Sequence, residues 1–314
     1  MKQVLLFFLI TNSIKGNDKL RYLIYTLLLS SFFVSSFAIV GYFTGITAPQ
    51  GWTEGTYGSI TRQAMYFLFL IPITFGIFLH SKSRFIKQAG FWLFLLSSCA
   101  MLMTFIRAVW LVCAILVLIL AFRKNMKKGL IALLCMFVLT GTVPKVRQRI
   151  TDSFNFSKDI NKLTSGRIGL IMNSFAVIKD YPWTGAGYGP NIFRYLAEDY
   201  NLTDTPNLPP PTPLNRQEPD AHNLYFQLTV ETGIIGIMTF LYLLFVFYKF
   251  TLKALHQMKE NHDILFILIL SVPGVLLYGL AGYFYEDRNG LLFWLFISLA
   301  VSIIHNEGKG EIIL

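Results

Sequence analysis

The sequence predicts an all-α integral membrane protein, a polytopic bundle of about eight membrane-crossing helices with a large, partly helical external loop. Three observations carry this. The chain is 54% hydrophobic, with a mean hydropathy of +0.54. Only 14% of residues are charged, where a soluble domain carries about a quarter. The basic residues, which give a formal charge of +10, fall mostly between apolar runs. A nucleic-acid binder would gather them on one folded soluble face, so no nucleic-acid partner is expected and the lipid bilayer is the expected environment.

A helix needs about 20 apolar residues to cross a bilayer. Candidate spans are 21–43, 64–80, 89–104, 106–122, 129–143, 223–249, 263–283 and 289–305. Residues 89–122 also read as one broken hairpin that turns near Thr104 to Arg107. Residues 3–11 are too short to span and read as a partial helix or the stump of a longer N-terminus. The cysteines Cys99, Cys113 and Cys135 lie in apolar runs without CxxC spacing, so small packing residues are expected rather than a metal site.

Orientation follows from Lys and Arg in short loops. Lys15, Lys19 and Arg21 fall on one side with Lys82, Arg84 and Lys87, then Arg123, Lys124, Lys127 and Lys128, then Lys249, Lys253 and Lys259. The alternate short loops hold only Arg62, Arg107 and Arg288. The first set is expected to be cytoplasmic. The chain then divides into N-terminal transmembrane helices (1–143), a large external loop (144–222) and C-terminal transmembrane helices (223–314).

A loop of that length in a compact bundle is usually functional. Within it, residues 165–180 read as an amphipathic helix, capped by Ser165, with Ile168, Ile171, Met172, Phe175 and Ile178 at helical spacing. Pro182 ends it, and the glycines of YPWTGAGYGP (181–190) permit a tight turn. No βαβ unit surrounds this GxGxG, so it carries no dinucleotide weight. Two readings stand: backbone amides offered to an anion, or a turn packed under Trp183 and Tyr188. Residues 203–219 are rich in proline and polar residues and read as an extended connector. The N-x-[ST] matches at Asn155 and Asn201 are common by chance.

His222 stands where this loop re-enters the membrane. A helix starting near 221 puts Asn223, Gln227 and Glu231 on one stripe. A charged group such as Glu231 inside a bilayer usually faces a bundle interior or a wet cavity, or else glues helices through hydrogen bonds. His222 can exchange a proton near neutral pH, or merely tie down the loop. Arg107 interrupts LMTFIRAVWLV, and Arg167 opens the amphipathic helix. Snorkelling and surface solvation are their bland readings. Together, two arginines and a histidine on the external side suggest transfer from a lipid diphosphate, whose phosphates a guanidinium fork grips in pairs.

The runs SGRIGLIMNSFAVIKDYPWTGAGYGPNIF and AHNLYFQLTVETGIIGIMTFLYLL resemble the bacterial O-antigen ligase and polymerase family. Its members carry a loop-helix Arg, then hP-x-x-G-x-G, then HN-x-[YF]-[LF]-x-[ILT]-x-x-E-x-G-x-x-G entering a helix. Here these are Arg167, then Pro182 with Gly185 and Gly187, then His222, Asn223, Glu231, Gly233 and Gly236. The match is specific over residues 165–245. Over 50–143 it is weaker, and Arg107, which fits the family's earlier membrane Arg, follows Ile106 where the family usually has Ser.

The resemblance implies a GT-C-like, metal-independent, inverting-type glycosyltransferase that uses no cofactor. It would move a glycan from undecaprenyl diphosphate to an acceptor sugar hydroxyl on the periplasmic face of the bacterial inner membrane. The implied partners are the carrier-linked glycan donor and a lipid A-core or glycan acceptor. By resemblance, Arg107 and Arg167 hold the diphosphate and His222 acts as base. Asn223, Gln227, Glu231, Gly185, Gly187 and Tyr188 line the substrate. The alternatives are a polysaccharide polymerase of the same family, a lipid-linked sugar transporter, and a non-catalytic truncated relative.

Overall fold

The computed structural model describes residues 2–46, 53–142, 144–154, 167–189, 192, 196, 221–258, 260–283 and 288–307. Among these residues the regular structure is entirely helical. The helices are α1 (Lys2–Ser13), α2 (Asn17–Thr44), α3 (Ile60–His80), α4 (Arg84–Leu102), α5 (Arg107–Lys124), α6 (Met126–Thr142), α7 (Pro144–Phe154), α8 (Arg167–Asp180), α9 (Leu224–Gln257), α10 (His262–Tyr278) and α11 (Arg288–His305). A short 3₁₀ turn, Gly55–Tyr57, precedes α3.

Four of them, α2, α3, α4 and α9, are long and apolar enough to cross a membrane, and two shorter apolar helices lie at 262–278 and 289–305. The protein is thus a helical membrane protein by composition and element type. α5 carries Arg107 at one end and Arg123 with Lys124 at the other, and α6 is 17 residues long. The turn expected near Thr104 to Arg107 is present: α4 ends at Leu102, Phe105 takes a φ of 58°, and α5 starts at Arg107, and both helices pack on α3. The prolines at 203–219, the caps and sites at Ser165, Asn155 and Asn201, and the side chain of Arg167 lie outside the described residues.

The chain forms two units. The first comprises Met1–Asp152, Tyr248–Tyr278 and Asp287–Leu314; the second comprises Ser153–Phe247 and Gly279–Glu286.

In the first unit α3 is the central post. Every residue from Gln63 to Ile77 is buried, because α4, α5, α10 and α11 all pack against it. A helix enclosed on all sides needs no polar face, and IPITFGIF has none. α2 packs on α4 through small polar residues: Ser31 and Ser35 both hydrogen-bond the hydroxyl of Ser97, at 2.9 and 3.1 Å. The other face of α2 leaves Leu29, Phe33, Phe37 and Val40 exposed, an apolar surface suited to lipid.

The loop charges sort by end as the sequence suggests. At one end His80 pairs with Asp263 at 2.5 Å, Lys124 lies 3.9 Å from the same carboxylate, and Arg123 covers the ring of Phe266 at 4.0 Å. At the other end the amide of Thr53 donates to Met103, and Asn289 donates to the carbonyl of Arg62. Arg107 begins its helix at that second end.

The second unit corrects one expectation and adds detail to another. The apolar stripe read from the sequence of α8 is exposed at Met172 and Phe175, while Ser174 and Val177 beside it are fully buried. Ser174 can be interior because its hydroxyl donates back to the carbonyl of Leu170 at 2.7 Å, so its polarity is already satisfied. The inward face is therefore Leu170, Ser174, Val177 and Ile178. The span expected at 223–249 is a single helix by sequence, but the structure breaks it at Gly233 (φ 67°, ψ −170°).

Candidate active site

The break in α9 opens the backbone ladder, and the loop after α8 fills it. The amides of Ala186 and Gly187 donate to the carbonyls of Val230 and Glu231 at 2.8 and 3.2 Å. In the reverse sense, the amides of Ile234 and Ile235 donate to Pro182 and Trp183 at 2.8 and 3.3 Å. Helix ends leave such groups without intrahelical partners, and a buried one is costly. Here one turn caps the C-terminus of the first half-helix and the N-terminus of the second.

Two glycines make this interlock sterically possible. A Cβ on Gly185 (φ 71°) would stand 2.4 Å from the carbonyl carbon of Glu231. A Cβ on Gly233 would stand 2.2 Å from the oxygen of Trp183. The two main chains touch, and both glycines have backbone angles that L side chains rarely adopt. Trp183 and Tyr188 remain exposed at the turn's surface, at 66% and 61%.

The first half-helix, residues 224–232, begins at a bend held by several independent bonds. Asn223 is its N-cap: Oδ1 accepts from the amides of Tyr225 and Phe226 at 2.9 and 3.1 Å, the arrangement that favours Asn there. Its Nδ2 donates to Leu280 at 3.0 Å, and the amide of Leu224 donates to Gly279 at 2.7 Å. His222, just before the cap, is left-handed at φ 48°. That conformation costs roughly 1–3 kcal/mol for a non-glycine residue and persists only where its surroundings enforce it. His222 is half-buried.

On the inner side of the bend, Asn223, Gln227 and Glu231 form the buried stripe that the i, i+4, i+8 spacing anticipates; the last two are each 1% exposed. The amide of Ala221 donates to Oε1 of Gln227 at 2.8 Å, and Nε2 of Gln227 donates to Oε1 of Glu231 at 2.5 Å. Ala221 also sits in an apolar cluster with Val177 and Val230, against which Leu170, Ile178, Ala186 and Phe226 pack. Phe175 meets Phe226 edge-on at 5.0 Å. The helix that Arg167 opens is thus packed beside the bend that carries His222, and Arg167 lies less than one turn before Leu170.

Arg107 belongs to the first unit, where it is the half-buried first residue of α5. Both arginines therefore open helices, where the helix dipole disfavours a cation and favours an anion. Among the described residues no group of three His, Cys, Asp or Glu side chains is placed to hold a metal ion.

Residues 92–241 match the O-antigen ligase family model. The match supports assignment to the O-antigen ligase/polymerase family. No curated protein matches the chain. The family indicates O-antigen ligase/polymerase-type function, and its members are glycosyltransferase- or ligase-type enzymes. The matched O-antigen ligase segment contains Arg107, Arg167, the glycine turn, His222 and the whole interlock. It stops short of Gly279 and Leu280, whose carbonyls hold the N-cap. Sequence reasoning missed those two anchors, although the glycines of YGLAGY (278–283) are a signal that the helix ends there.

Proposed function

We propose that this protein transfers a glycan from undecaprenyl diphosphate to a sugar hydroxyl at the periplasmic face of the bacterial inner membrane, as an O-antigen ligase. The observation that carries the reading is the His222 bend. Histidine is held there in a left-handed conformation, beside the helix that Arg167 opens and inside the segment that matches the family.

In this reading His222 takes the proton from the acceptor hydroxyl as the new glycosidic bond forms. The carrier diphosphate leaves, its charge held by Arg107 and Arg167 with the helix N-termini they open. Diphosphate is already a good leaving group, so positioning and charge stabilisation supply much of the rate. No metal or other cofactor is required. Tyr188, which is exposed, and the half-buried Gly185–Gly187 turn contribute to the substrate surface. The bundle crosses the membrane about eight times, with the segment 144–222 outside. A polymerase would use the same donor chemistry and differ only in acceptor, the end of another carrier-linked chain.

The test is transfer by purified protein in liposomes, with glycan-linked undecaprenyl diphosphate and a lipid A-core acceptor, in the presence of EDTA. Turnover is expected. Turnover that EDTA abolishes and a divalent ion restores contradicts the metal-free mechanism. Chain growth without the core acceptor makes the protein a polymerase. Binding of undecaprenyl diphosphate tests the arginines separately. Arg167→Ala should weaken it about tenfold, roughly 1.4 kcal/mol, and Arg167→Lys should restore little because Lys lacks the paired fork. Equal binding in all three proteins removes Arg167 from the diphosphate.

A further inference from the structure

We infer that Gln227 and Glu231 are positioning residues that hold His222 in its bend through the main chain of Ala221, and that neither touches substrate. The inference rests on His222 being the base. The family resemblance puts both side chains among the substrate contacts. The structure gives them different work.

Both side chains are 1% exposed, whereas His222 itself is half-buried. The direction of the hydrogen bonds is fixed by chemistry. The amide of Ala221 can only donate, so the group facing it at 2.8 Å is the amide oxygen of Gln227. That leaves Nε2 of Gln227 to donate, and it donates to Glu231. Glu231 thus selects the orientation of Gln227, and Gln227 anchors the residue immediately before His222. On the other side Asn223 and the carbonyls of Gly279 and Leu280 anchor the residues immediately after it. A left-handed histidine clamped on both flanks cannot relax its φ, so the direction in which its side chain leaves the backbone is fixed. Glu231 is itself fixed, because its carbonyl accepts from Gly187 of the glycine turn. The turn, the helix break and the His222 bend are one connected backbone and side-chain chain.

The test uses the full chain in liposomes with ¹⁵N-histidine, read by solid-state NMR, alongside the transfer assay. The five histidines give few signals, and His222→Ala assigns the one that matters. Gln227→Leu removes the bond to Ala221. It is expected to shift or broaden the His222 signal and leave the other four unchanged. It should lower kcat about a hundredfold, the cost of a misplaced reacting group, with KM for the donor within about twofold of wild type. Gln227→Asn keeps an amide but falls one methylene short, and as the milder variant it should show the same split. Glu231→Leu removes the acceptor that orients Gln227, so it should move the His222 signal and lower kcat in the same direction as Gln227→Leu, with the KM for the donor again within about twofold.

A His222 signal unmoved in both Gln227 variants overturns the inference. So does a raised KM with kcat retained, which would mark direct substrate contact. Were wild type to show no turnover, the base reading would fail, and the NMR comparison would still decide whether Gln227 places His222.

Discussion

The α3 core of the first unit and the interlocked helix break of the second are both closely packed, and they are built from opposite materials. α3 is enclosed by side chains: fifteen consecutive residues from Gln63 to Ile77 are buried, and no loop backbone is needed to cover them, although Pro72 removes one rung of the helix's own ladder. The interlock is enclosed by main chain. Its partners are four loop-to-helix amide–carbonyl bonds, and its contact surface is two glycines. A core of side chains can repack around a change, since volume and apolarity are its main demands. A backbone-to-backbone contact has nothing to rearrange. The difference separates stability from function: damage to α3 should lower the amount of folded protein, and damage to the interlock should leave a folded protein with a misplaced site.

The sharpest way to break the comparison is Gly233→Ala. The added methyl would collide with the Trp183 carbonyl, so the turn must withdraw. Transfer should fall at least about a hundredfold. Hydrogen exchange should rise at Ala186, Gly187, Ile234 and Ile235 and stay unchanged in α3. Unchanged exchange at those four amides would mean the interlock does not hold in the membrane. Phe69→Ala is the counterpart in the post, where the ring is fully buried and packs at a tilt against Phe296, with ring centroids 4.8 Å apart. It should cost about 3–5 kcal/mol of stability, read as a lower Tm, with kcat of the folded fraction preserved. The smallest effect belongs to Ser97→Ala. Hydrogen bonds between membrane helices average about 0.6 kcal/mol, so the loss of both serine contacts to α2 should lower Tm only slightly and leave transfer intact.

The same contrast explains what could be read from the sequence. α3 was legible because enclosure by side chains writes itself as an unbroken apolar run. The turn between α4 and α5 was legible because Thr104 and Arg107 interrupt one. The stripe Asn223, Gln227 and Glu231 was legible from its period, although what those groups bond to was not. The interlock left only glycines in the sequence, and Gly233 sits inside an apolar stretch that otherwise reads as one continuous helix. The buried face of α8 was not legible for a related reason: Ser174 counts as polar until its hydroxyl finds the Leu170 carbonyl. The motifs hP-x-x-G-x-G and E-x-G look like two separate signatures. In the structure Gly185 and Gly233 face each other's neighbours, and the two motifs are halves of one contact.

The most direct measurement compares wild type with His222→Ala in two assays on the same liposomes: binding of undecaprenyl diphosphate and transfer to the lipid A-core acceptor. With His222 as base, donor binding should stay within about twofold while transfer falls by about 10²–10⁴. Transfer retained in His222→Ala, or lost only in step with donor binding, would contradict a base at the bend.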